Sequence, residues 1–343
     1  MPGHAADAGR PVSEDSPEPT TPAPRGGGTG RRIAMSLAGA AVLGTAIYFG
    51  YPLIDGLTAH PQSAVRTPTR WGQPAATARA PQAGPAPSPQ SAIHAHDAVP
   101  SPASVPRGGA FPTPGYGEAP APLGRPEALS ARSASYKFLL SSPTQRFVAY
   151  DPCRPVHYVV RAANEPADGP ALLQAAFARL SRATGLRFID DGSTIEGPSK
   201  QRQMFQKARY GDRWAPVLIT WDTIREEPSF KTTTTPTAYG YSEHTVLGLT
   251  GSSDAAANGH PWVYVTGQMK LNAAGLTAQE ARQGPAAVQA VIEHELGHLV
   301  GLDHTTDPAQ LMYPESGAGR LAYNTGDLTG LAQLGQGPCE PDL

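Results

Sequence analysis

The sequence is poor in charge: Asp, Glu, Lys and Arg make up only 16% of its 343 residues, with a formal net charge of −2. That balance gives no electrostatic case for a nucleic acid or an acidic polymer as partner. Cysteine is nearly absent, with two in the whole chain, Cys153 and Cys339. Large apolar residues are almost missing from the first 30 positions, which are mostly Pro, Gly, Ser, Thr and mixed charge. Such a tail cannot bury enough surface to offset its ordering entropy, so residues 1–32 are predicted to be disordered.

Proline and glycine, 37 of each, crowd the first 130 positions. Within that region Arg31-Arg32 precede 22 uncharged residues, 33–54. As a helix this stretch rises about 33 Å, enough for a hydrocarbon core of roughly 30 Å. The arginine pair should stay in the cytoplasm with the tail 1–32, which puts the C-terminal side outside the cell. The expectation is a transmembrane signal-anchor over 33–54. A signal peptide cleaved near Leu57-Thr58-Ala59, or a twin-arginine signal, are the alternatives. Residues 55–130 read as a Pro/Ala-rich linker, and His60, His94 and His96 within it as solvated loop residues.

A folded domain is expected over 131–343. Residues 155–161 and 186–190 read as strands, and 217–222 (VLITWD) as a strand apolar enough to be central. Between the first two, Pro170 opens an amphipathic helix with Leu172, Ala175, Phe177, Leu180 and Ala183 near helical spacing, and Gly185 stops it. Residues 238–246 and 262–266 are two further expected strands. A helix from 284 or 285 to 302 comes next, opened by Pro285.

That last helix carries the chemistry. Residues 291–314 read VIEHELGHLVGLDHTTDPAQLMYP and contain HExxHxxGxxH. Residues four apart share a helix face, so His294 and His298 can grip one metal ion together. Gly301 permits the conformation that ends a helix and bends the chain, which returns His304 to the same ion. Three imidazoles leave the fourth position of a tetrahedral zinc open for water, and Glu295 lies beside the first ligand to take its proton.

The long motif, with Leu311-Met312-Tyr313-Pro314 after it, resembles the metzincin zinc endopeptidases, and HTTD and LMYP resemble their matrixin branch. The resemblance covers about the last 190 residues. It implies an α+β catalytic domain: a twisted mixed sheet with a backing helix, the zinc helix, a methionine turn and a C-terminal helix at 326–335. It also implies that 238–246 is the cleft edge strand, which pairs with an extended peptide substrate. His294, His298 and His304 become the ligands of one catalytic Zn²⁺, Glu295 the general base, and Met312 the floor beneath the metal. Tyr313 as a further ligand is an alternative, and Asp303 is read as an acceptor in the turn.

Three matrixin features are missing. No histidine-and-aspartate series for a structural zinc precedes the helix; His244 and His260 stand alone. Structural Ca²⁺, for which Asp254 and Asn258 are the nearest donors, is not indicated. The usual pair of aspartates in the C-terminal helix is reduced to Asp327. Cys153, in DPCRP, lies too late for a propeptide thiolate switch. Two cysteines flanking the domain of an exported chain read as a disulfide, with free thiols as the alternative. The sequence thus points to a monomeric, membrane-tethered extracytoplasmic zinc endopeptidase acting on proteins or peptides. A catalytically silent surface binding module of the same fold is the alternative.

Overall fold

The computed structural model describes residues 111–343 apart from 238, 239, 258 and 318, together with two short strands, Thr45–Ala46 and Tyr48–Phe49. The expected tail 1–32, most of the expected span 33–54 and residues 55–110 of the linker lie outside the described residues.

Among the described residues seven strands build the main sheet; besides the short pieces Thr45–Ala46 and Ala149–Tyr150 they are β1 (Val156–Arg161), β2 (Phe188–Ser193), β3 (Val217–Asp222), β4 (Gly248–Ala255) and β5 (Val263–Asn272). The five long strands run in the order β4-β5-β3-β1-β2; β4 is antiparallel to β5 and the other neighbours among them are parallel. Every residue of β3 is buried, as its unbroken apolar run predicts for a strand covered on both faces. Helix α1 (Gly169–Thr184) links β1 to β2. Pro170 sits in its first turn and Gly185 ends it in the left-handed region at φ 77°. Leu173, Ala176, Phe177 and Leu180 form its buried face, and Phe177 stacks on Tyr158 of β1 with centroids 4.1 Å apart. Burying each large side chain of this kind stabilises by about 1.5–3 kcal/mol. The result is a mixed sheet with helices packed on it, the metzincin-like α+β class.

Beyond β5 the chain forms α2 (Ala273–Gln283), α3 (Pro285–Val300) and α4 (Thr325–Leu334). Helix α3 packs against α1, β4 and β5 and is buried from Ala287 to Val300. Its apolar residues Val288, Val291, Ile292, Leu296 and Leu299 are all buried, and they carry the polar HExxH segment into the core with them.

Four expectations need correction. The strand expected at 238–246 is not the sheet edge: Gly240–His244 pairs with Thr233–Thr237 in a separate hairpin, and β4 lies against β5 instead. Alternation in YGYSEH gave a true strand signal but no information about its partner. β4 itself, GLTGSSDA, lacks apolar alternation because its small residues let α3 approach closely; the Ser252 hydroxyl donates to the Leu299 carbonyl at 2.7 Å. The strand expected at 262–266 continues to Asn272, and α2 was not anticipated, although Asn272 caps it through the Gly275 amide. Within the expected span 33–54, Thr45–Ala46 pairs antiparallel with β4 and Tyr48–Phe49 pairs parallel with Glu315–Ser316, so these four residues are strand and not helix. The open edge of β4 offers the hydrogen bonds that draw an extended segment there. Among the described residues no helix is long and apolar enough to cross a membrane.

Residues 111–130, assigned by composition to the linker, contain no helix or strand but lie along the domain. Their backbone amides at Ala119, Leu123 and Glu127 donate to the carbonyls of Cys153, Pro152 and Arg182. Cys153 and Cys339 are disulfide-bonded, with Cα atoms 5.4 Å apart, and so tie the entry to β1 to the segment after α4.

Candidate metal centre

His294 and His298 lie one turn apart on α3 with both rings buried. The helix ends at Gly301, whose φ of 117° is left-handed, and a Cβ there would stand 2.9 Å from the Val148 carbonyl oxygen. Position 301 is thus closed to a side chain by both torsion and space. The chain then turns: Leu302–Asp303 pairs antiparallel with Lys137–Phe138, which directs His304 back toward α3. Asp303 accepts the His304 amide at 2.7 Å and the Lys137 ammonium at 2.6 Å, the acceptor role expected of it.

The three Nε2 atoms converge. They are 2.9 Å apart between His294 and His298, and 3.2 Å from each of these to His304. Each helix imidazole has a carbonyl at its other nitrogen: His294 Nδ1 lies 2.7 Å from the Leu311 oxygen, and His298 Nδ1 2.7 Å from the Leu302 oxygen. A carbonyl only accepts, so Nδ1 of both rings carries the hydrogen and both Nε2 lone pairs face the centre. Burial, and then repulsion between the rings, holds His294 and His298 well below the usual histidine range, in the neutral form that ligates. Lone pairs pointed at one another in a buried site call for a cation between them. Tetrahedral bonds of 2.0–2.1 Å would put the nitrogens about 3.3 Å apart, close to the spacing found. The triad could therefore hold a zinc ion.

Glu295 is fully buried beside this cluster, and among the described residues only the Thr250 hydroxyl is placed to donate to its carboxylate. Burial pushes its carboxyl well above the ordinary range, opposed in part by the Thr250 side chain of β4. Met312 is 1% exposed and so near α3 that a Cβ on Gly297 would be 2.5 Å from its sulfur. The turn carrying it is pinned at both ends: Thr305 donates its amide to the Met312 carbonyl at 3.0 Å, and Asp327 of α4 accepts the amides of Leu311 and Met312. Tyr313 packs under Arg320, whose guanidinium carbon is 5.0 Å from the ring centroid.

Sequence reasoning missed the supports of this centre. Glu293, buried next to His294, pairs with Arg179 of α1 at 2.5 Å, and its carbonyl accepts the Tyr323 hydroxyl. The role of Asp327 was legible in outline, since Asn324 and Asp327 stand at capping-box spacing and form that box. Of the isolated histidines, His260 lies between Glu340 and Asp342, and His244 belongs to the hairpin. Asp254 belongs to no cluster of potential ligands among the described residues.

Three imidazoles converging on one point, with a buried carboxylate on the same helix, fit the donor set of a zinc metallopeptidase. The matrixin family model matches residues 244–334, from the hairpin through β4, the metal centre and α4. Over that stretch the chain is similar to the matrixin-like metzincins. A comparison with curated proteins finds no match for the chain.

Proposed function

We propose that this protein is an extracytoplasmic endopeptidase, with His294, His298 and His304 as zinc ligands and Glu295 as general base. The observation that carries the reading is Glu295: its carboxylate is fully buried on the zinc-motif helix with only the Thr250 hydroxyl to donate to it among the described residues, an arrangement that costs on the order of 1–3 kcal/mol. Metal binding alone does not require it, whereas water activation does, and this favours turnover over a silent binding module. Bound zinc supplies polarisation of the scissile carbonyl and acidification of a water. Glu295 then takes the proton of the attacking water at a carboxylate oxygen and returns it to the leaving amine nitrogen.

A peptide substrate would lie extended along the β4 edge and be held there by main-chain hydrogen bonds. The lane suits an extended chain: Thr45–Ala46 pairs with Thr250 and Leu249 of β4, and Tyr48–Phe49 continues beside Glu315–Ser316. Placement of the domain outside the cell is part of the same proposal and rests on the arginine pair ahead of the uncharged stretch 33–54. Cleavage of a mixed peptide library by the wild type, set against Glu295→Ala, tests it. The variant should retain one zinc per chain and lose cleavage by ~10²–10⁴-fold. Equal cleavage by both proteins would overturn the assignment of Glu295, and no cleavage by either would leave the binding module as the better reading.

A further inference from the structure

Ligand-type side chains gather at a second place, where the two ends of the domain meet. Glu118, Asp151, Cys153 and Cys339 each bring one ligand atom to within 4.8 Å of the others. Cys153 and Asp151 are buried, and the Glu118 side chain is 8% exposed. Backbone hydrogen bonds hold these positions independently of the disulfide. Asp151 accepts the Cys153 amide at 2.7 Å through one oxygen and the Glu340 amide at 2.9 Å through the other. It therefore gathers both cysteine-bearing segments. The Ala119 amide donates to the Cys153 carbonyl at 2.8 Å and lays Glu118 alongside. Opening the sulfur–sulfur bond would leave two thiols side by side within this frame.

The Glu118 carboxylate is half satisfied. Its Oε2 pairs with Arg154 at 3.0 Å, while among the described residues Oε1 is buried without an N–H donor, and burial together with the neighbouring Asp151 carboxyl pushes the Glu118 carboxyl up to about 7. The carboxylate is one of the four converging groups, a position where a positive ligand would be stabilised. Two thiolates and two carboxylates suit zinc and its analogues cadmium and cobalt, whereas an all-oxygen cage would suit calcium or magnesium. Two metal–sulfur bonds of about 2.3 Å need the sulfurs roughly 3.7 Å apart. With Cα atoms 5.4 Å apart, side-chain rotation alone can provide that separation.

We propose that this cage is a redox-gated metal site: the Cys153–Cys339 disulfide and a borderline-soft divalent cation are alternative closures of the same four-residue cluster. Reduction by a water-soluble phosphine breaks the sulfur–sulfur bond and oxidises the phosphine to its oxide with oxygen from one water, leaving two thiols. The cation then displaces both thiol protons to solvent and binds the thiolates together with Glu118 and Asp151. Either closure holds the segment before β1 against the segment after α4. The site is chemically separate from the histidine centre and stands whether or not the peptidase reading does.

Titration of the metal-free full-length protein with cobalt(II) under anaerobic conditions tests this, with near-ultraviolet circular dichroism recorded alongside. The oxidised protein should bind cobalt without sulfur character. The phosphine-reduced protein should bind one further equivalent with a thiolate-to-cobalt charge-transfer band and a native-like dichroism spectrum. The band should persist in His298→Ala, and the affinity behind it should fall at least tenfold in Glu118→Gln. The proposal is overturned if the reduced protein shows no such band, or if Glu118→Gln titrates like the wild type. It is also overturned if reduction abolishes the dichroism spectrum and cobalt does not restore it.

Discussion

The carboxylate of Asp327 holds the backbone of Met312: its Oδ1 accepts the Met312 amide at 3.2 Å, and its Oδ2 accepts the Leu311 amide at 2.7 Å. The Leu311 carbonyl in turn orients His294, so a residue on the last helix reaches the metal centre through one peptide unit. Oδ2 also takes the Asn324 amide at 2.9 Å, completing the cap of α4. Asp327→Ala should therefore leave three amides without their acceptor and loosen the turn, lowering stability by about 2–4 kcal/mol. Zinc affinity and peptide cleavage should fall together. Denaturant melts and zinc titration of the variant check this; wild-type zinc affinity in a destabilised variant would show that the turn does not orient His294.

Legibility in the sequence tracked the physics of each element. The histidine triad was readable because a metal site imposes fixed residue types at fixed helical spacing. β3 was readable because burial on both faces leaves an unbroken apolar run, and α1 because a one-sided helix repeats near every third or fourth residue. β4 was not, since GLTGSSDA is selected for smallness against α3 and carries no period. The hairpin at 233–244 was half readable: its second strand was found, but pairing is a long-range choice that alternation does not encode. The Glu293–Arg179 pair joins residues 114 apart in the chain and has no local signature.

Metal removal should weaken the fold as well as the activity. A ligand that binds only the native state stabilises it by about 4 kcal/mol at a thousandfold excess over its Kd. Chelation should then lower the melting temperature and abolish cleavage of the peptide library, and added zinc should restore both. His298→Ala should show the low melting temperature from the start and no response to zinc. A chelator-insensitive melting curve in the wild type would argue against metal at this triad.

Asp254, at the bulge of β4, gives a pH dependence away from the metal centre. Burial raises its carboxyl from 3.8 to about 6. The folded state thus binds this proton more tightly than the unfolded chain, and stability falls as pH rises from about 4 to about 6. Asp254→Asn removes that dependence. The variant should gain on the order of 3 kcal/mol over the wild type above pH 6, with the gain shrinking toward pH 4. Urea midpoints across this range decide it, and parallel curves for the two proteins would assign the slope to other groups.

Gly248 opens β4 directly against Glu295, the proposed general base. A Cβ added there would overlap Glu295, meeting Oε1, Cδ and Cγ, while the histidine rings are not among its nearest atoms. Glu295 has no room to retreat, since its side chain is fully buried in α3. Gly248→Ala should therefore displace the carboxylate without dismantling the triad. The expected result is near-stoichiometric zinc with kcat/KM reduced by about 10²-fold or more, the scale set by misplacing a catalytic group by about an ångström. Because the three nearest atoms to the added methyl all belong to Glu295, this variant tests the position of the carboxylate with the carboxylate still present. Zinc content by elemental analysis and cleavage kinetics on the same preparation give both readings. Loss of zinc in parallel with activity would mean that the strand supports the metal rather than the base, and full activity would place the working carboxylate elsewhere.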